Sequence, residues 1–138
     1  MSDAGGGGSE NVRKGDGWSV AHLDDLGEGP GFRKVRTPLG VTAFGVNAIV
    51  LPPGYATGSH YHEEQEELYF LHSGRVAIEF GDGAVQELRP GGFAWVDAAT
   101  HRRVRNLSDA EEAVYVVVGG KGGYVGRDGK LAPGEEHR

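Results

Sequence analysis

The sequence contains no cysteine and only one methionine. The missing cysteines exclude a disulfide scaffold, thiolate metal sites and a cysteine nucleophile, and they fit a reducing compartment. Also missing is any apolar stretch near the ~20 residues that a membrane-spanning helix needs. The longest such run, Ala113 to Val118, is only as long as a strand. Residues 1–17 lack the apolar region of a secretory signal, so a cytoplasmic protein without a membrane partner is expected. There is no basic surplus either. The net charge is −6 at pH 7, and between Trp18 and Gly126 nine Lys/Arg stand against fourteen Asp/Glu. A nucleic-acid binder would carry a basic patch or stripe, so nucleic acid is not an expected partner. Finally, no stretch of twelve or more residues has a helical apolar face.

What the sequence has in abundance is glycine, 25 in 138 residues, more than twice the usual share of about 7%. The length suits one domain. Residues 1–17 hold four consecutive glycines among polar residues and cannot bury enough apolar surface to order themselves. They are expected to be a disordered N-terminal tail, with a domain over 18–118 and a Gly-rich C-terminal tail over 119–138. Gly120-Lys121-Gly122 lacks the Ser or Thr that a phosphate-binding loop places after Lys, so those glycines read as linker.

Between the tails the apolar period is two. Short runs rich in Val, Ile, Phe and Tyr, bounded by Gly, Pro, Asp and Asn, predict strands. They fall near Trp18–Leu23, Phe32–Thr37, Val41–Leu51, Gly58–Tyr61, Glu67–His72, Arg75–Phe80, Gly83–Leu88, Phe93–Asp97, Thr100–Asn106 and Ala113–Val118. Asp82-Gly83 predicts a tight type I′ hairpin turn. The fold class is all-β, a sandwich or barrel.

Chemistry concentrates in Gly54 to Gly74. In a strand, residues i and i+2 face one side, so His60 and His62 project together. Two imidazoles, a nearby carboxylate and a later histidine suit a divalent transition metal. Of Glu63, Glu64, Glu66 and Glu67, only Glu67 opens the next apolar strand, where a side chain is held more rigidly than in a loop. Glu67 is therefore the expected carboxylate ligand.

Gly54-x5-His60-x-His62-x4-Glu67-x6-Gly74 resembles the first signature motif of the cupin superfamily, position for position. Pro90-Gly91-Gly92, His101 and Asn106 resemble the second, with two departures. Gly83 lies one residue too far before Pro90, and four residues instead of three separate His101 from Asn106. The resemblance implies a double-stranded β-helix, or jelly-roll barrel, with one metal ion per chain held by His60, His62, Glu67 and His101. Iron, manganese, nickel, zinc and copper all fit such donors. Strict alternation from His101 would turn Arg103 and Arg105 inward beside a dication. A β-bulge near Arg102–Arg103 is expected instead, restoring Val104 and Asn106 to the inner face.

The resemblance implies a metal-dependent enzyme on a small polar metabolite, dioxygenase-like or an isomerase or lyase. The alternative is a module that binds or senses a metal and a small ligand without turnover. No residue declares itself catalytic; Gln65, Asp97 and Arg103 are the candidates for proton transfer. Turn-capping is the commoner role for an Asp placed like Asp97. His72 shares a face with Leu68 and Phe70, opposite Glu67, and that outer face is the expected contact of a homodimer. His22 and His137 are expected to be structural or solvated.

Overall fold

The computed structural model describes residues 12–135. His137 and most of the expected N-terminal tail lie outside the described residues. The chain forms strands β1 (Arg13–Gly15), β2 (Trp18–Val20), β3 (Gly31–Lys34), β4 (Gly45–Leu51), β5 (His60–His62) and β6 (Glu66–Ser73). It continues through β7 (Val76–Phe80), β8 (Val85–Leu88), β9 (Phe93–Val96), β10 (Arg102–Asn106), β11 (Ala113–Gly120) and β12 (Gly129–Leu131). A 3-10 turn spans Leu23–Asp25, and the short helix α1 spans Arg36–Leu39. Gly40, at φ 78, ends α1 in the left-handed conformation that glycine adopts without strain.

Two five-stranded antiparallel sheets carry the fold, in the orders β12-β5-β10-β7-β8 and β3-β4-β11-β6-β9. Their apolar faces meet in one core of Ile49, Leu51, Tyr69, Leu71, Val76, Ile78, Val96, Val104, Ala113 and Tyr115. The reason is period two. Along β6, Glu67, Tyr69 and Leu71 are buried while Glu66, Leu68 and His72 are exposed. Side chains such as Leu71 and Ile78 are almost wholly removed from water, each worth about 1.5–3 kcal/mol. This is the all-β jelly roll that the resemblance implied.

All ten expected strands are present, with shifted ends. The Asp82-Gly83 hairpin forms, but not through a type I′ turn. The Gly83 amide donates to the Phe80 carbonyl and that of Phe80 to the Ala84 carbonyl, and Gly83 alone has positive φ. This is a three-residue loop ending in a left-handed glycine. Gly74 has a second constraint besides its φ of 86: a Cβ there would come within 2.7 Å of the Ala113 Cα.

Three expectations give way. First, β10 runs in unbroken register with β7, from Arg102 opposite Phe80 to Asn106 opposite Val76, so there is no bulge at Arg102–Arg103. The register shift that does occur lies between β6 and β11, at Val114/Tyr115. Second, the residues after 118 are not all linker. β11 continues to Gly120, and β12 pairs with β5, setting Gly129 opposite His62 and Leu131 opposite His60. Third, β1 pairs with β2 across the expected boundary at residue 17. Among the described residues, no helix is long and apolar enough to cross a membrane.

Candidate metal centre

β5 delivers His60 and His62 to the inner face, and β6 delivers Glu67 across the short connection between them. Each offers one ligand atom, and the three atoms lie within 4.8 Å of one another. The imidazoles of His60 and His62 sit edge to face, centroids 5.3 Å apart. His62 Nε2 is 3.2 Å from Glu67 Oε2. The end of β5 is anchored by the His62 amide, which donates to the Ala98 carbonyl at 2.8 Å.

His62 is oriented from behind. Its Nδ1 lies 2.9 Å from Asp128 Oδ1, and the same oxygen accepts from Gln65 Nε2 at 2.6 Å. Asp128 Oδ2 accepts the backbone N–H groups of Glu64 and Gln65. Burial pushes the Asp128 carboxyl up, but these backbone, His62 and Gln65 bonds hold it far below the ordinary carboxylate range. A carboxylate on Nδ1 selects the tautomer that leaves a lone pair on Nε2, the usual support of a metal-binding histidine. His62 Nε2 is buried and has no hydrogen-bond partner.

Glu67 is held as firmly. Tyr69 Oη donates to its Oε1 at 2.8 Å, and Arg102 Nη2 lies 3.8 Å from the same atom. Burial raises the Glu67 carboxyl, and His62, Tyr69 and Arg102 outweigh it, so it stays below its ordinary value. Burial, with Glu67 adding to it, raises the Tyr69 hydroxyl well above its own, which keeps it a donor. The donor set fits a divalent transition ion. His60 and His62 supply two imidazoles and Glu67 a carboxylate, their ligand atoms converging on one point.

His101 is not part of this group. It stacks on Tyr61, centroids 4.8 Å apart and planes 12° from parallel, and Tyr61 points away from His60 and His62. The inner position belongs to Arg102, which pairs opposite His60 and is wholly buried. Its guanidinium donates to the Asp97 and Ala98 carbonyls. Because alternation starts inward at Arg102, only one of the three β10 arginines is buried. Arg103 turns outward to Glu135 and Arg105 to Glu79, so no bulge is needed.

Asn106 ends the same strand, its Nδ2 within hydrogen-bond distance of the Leu51, Pro52 and Glu111 carbonyls. Asp97 is an exposed turn cap, accepting from the amide and hydroxyl of Thr100. Of the three proton-transfer candidates only Gln65 reaches the cavity, and its amide is committed to Asp128. Gln65 also lies against Gly119, where a Cβ would collide with it.

The trio opens into a cavity of about 740 Å³, walled by residues such as Ile49, Leu51, Tyr115 and Val117. Asp128 is the functional residue that the sequence did not reveal, because it stands in a stretch that reads as linker. A signal for Arg102 did exist: counting back three intervening residues from Asn106 lands on it.

A family model described as the cupin domain matches residues 48–119, more than half of the chain. The protein is a cupin. This cupin is similar to the solved structure of a sugar phosphate isomerase of the cupin superfamily from Silicibacter pomeroyi, with 29% identity and a TM-score of 0.59. That match covers 65% of this chain but only 58% of the isomerase chain. It also resembles a protein from Thermus thermophilus, at 25% identity and a TM-score of 0.61 over 77% of this chain and 98% of that one. An uncharacterized protein with a double-stranded beta-helix domain from Klebsiella pneumoniae shares the fold at 23% identity and a TM-score of 0.63. That match covers 89% of this chain and 91% of that one. No curated protein matches the sequence.

Proposed function

We propose that this cupin is a metal-dependent enzyme acting on a small polar metabolite, with His60, His62 and Glu67 holding one divalent transition ion per chain. The observation that carries the reading is the buried His62 Nε2, without a hydrogen-bond partner and 3.2 Å from Glu67 Oε2. Iron, manganese, nickel, copper and zinc all suit these donors. A held ion would polarise a substrate oxygen from the positions that three protein ligands leave open. The chain's own residues prepare the site. Asp128 fixes the orientation of His62, Tyr69 donates to Glu67, Arg102 balances its charge from behind, and the apolar wall limits water.

The Silicibacter pomeroyi structure, named a sugar phosphate isomerase, supports isomerase- or lyase-type chemistry. Dioxygenase-like oxidation is the other reaction suited to two histidines and a carboxylate. A non-catalytic binding module is favoured by one feature: both cavity carboxylates, Glu67 and Asp128, are already engaged. The test is metal analysis of protein purified without chelator, beside His62→Ala. About one ion per chain, lost in the variant, is expected; substoichiometric metal unchanged by the substitution overturns the proposal. Solvent deuterium incorporated into keto and hydroxy acids then marks isomerisation, oxygen uptake marks oxidation, and neither marks a binder.

A homodimer belongs to the same reading, supported by Leu68, Phe93 and Trp95 lying exposed on one outer face. Sedimentation equilibrium tests it. A cytoplasmic setting agrees with the absence of cysteine.

A further inference from the structure

The segment between β11 and β12 contributes Tyr124, Val125, Arg127 and Asp128 to the cavity wall. Arg127 has φ 41, and every other positive φ among the described residues belongs to a glycine. The left-handed conformation strains a residue with a Cβ, and glycine avoids that strain. Glycines are plentiful here, at 122, 123, 126 and 129, yet this position carries the longest side chain of the segment. Strain kept beside a cavity points to function.

Charge points the same way. Among the lining residues Arg127 is the only permanent cation. The two carboxylates, Glu67 and Asp128, are occupied by Tyr69, His62, Gln65 and backbone amides. Arg127 is exposed and has no ion pair or hydrogen bond among the described residues. Its neighbour Asp128 is pinned by the Glu64 and Gln65 amides, so the backbone from which the guanidinium extends is set. A guanidinium fork matches a carboxylate or phosphate through two parallel N–H donors.

We propose that Arg127 is the anion anchor of this site. The cavity takes a small substrate bearing a carboxylate or phosphate, whose oxyanion pairs with Arg127 at the rim while the rest reaches toward His60, His62 and Glu67. This rests on reading the cavity as a substrate site, but not on the metal.

Inorganic phosphate and succinate, titrated separately into chelator-treated full-length protein, test it by calorimetry and by the arginine Nε–H signals in NMR. At least one anion should bind saturably and shift the Arg127 signal. Arg127→Ala and Arg127→Gly should weaken binding tenfold or more, Arg127→Lys less, and Arg89→Ala not at all. Phosphate alone assigns a phosphate ester; succinate alone assigns a carboxylate. Arg127→Gly should also raise the melting temperature as the strain is relieved, so lost binding is not lost fold. Arg127→Gly binding as well as wild type, or no anion shifting the Arg127 signal, overturns the proposal. Retained anion binding in His62→Ala without metal would separate failure of the metal reading from failure of this one.

Discussion

The two limbs of the site, β5–β6 and β10, are built on the same alternation and end differently. On β5–β6 the inner positions fall on His60, His62 and Glu67, three groups able to meet a cation. On β10 they fall on Arg102, Val104 and Asn106, so the inner corner facing His60 is itself a cation. A phase difference of one residue separates these outcomes. Had His101 been inward, the site would have had three imidazoles and two buried arginines. With Arg102 inward it has two imidazoles and one arginine compensated by Glu67 and two carbonyls.

The sharpest way to break that comparison is metal content. His62→Ala should abolish binding, whereas His101→Ala, which removes only a stack on Tyr61, should leave it unchanged; equal losses would return His101 to the site. Next in size is the buried charge. Arg102→Leu leaves Glu67 without its buried counter-ion and should cost about 3–5 kcal/mol in urea unfolding. Arg103→Ala, on the outer face of the same strand, should cost about 0–1 kcal/mol. Similar costs for the two would mean that the inner and outer faces of β10 are misassigned.

The β5–β6 limb can be loosened without touching a ligand. Asp128→Asn should weaken metal binding by about 10–100-fold in chelator competition, as loss of a carboxylate behind a ligating histidine does, while the fold survives. Gly119→Ala forces Gln65 away from Asp128 and should cost about 1–3 kcal/mol through overpacking. Its metal affinity should fall in the same direction as that of Asp128→Asn, and by less.

Local pattern was a sound guide wherever neighbours in sequence are neighbours on one strand face. It paired His60 with His62, set Glu67 apart from Glu63, Glu64 and Glu66, and turned Leu68, Phe70 and His72 outward. At β10 it could not choose between His101, which the motif resemblance placed inward, and Arg102, because the phase of an alternation depends on where the strand starts. The Asp97–Thr100 turn, closed by the Asp97 side chain, delays that start to Arg102. It failed at Asp128, whose role depends on a strand pairing 66 residues away from His62.

By itself, then, the sequence determined the all-β class, the position of its turns and the trio on β5–β6, because period-two burial is a property of short segments. The jelly roll was legible only through the resemblance of its motifs. Tertiary structure decided the fourth corner of the site and the carboxylate behind His62. Register between β5, β10 and β12 governs which side chains meet across the barrel, and register is set by long-range pairing and packing.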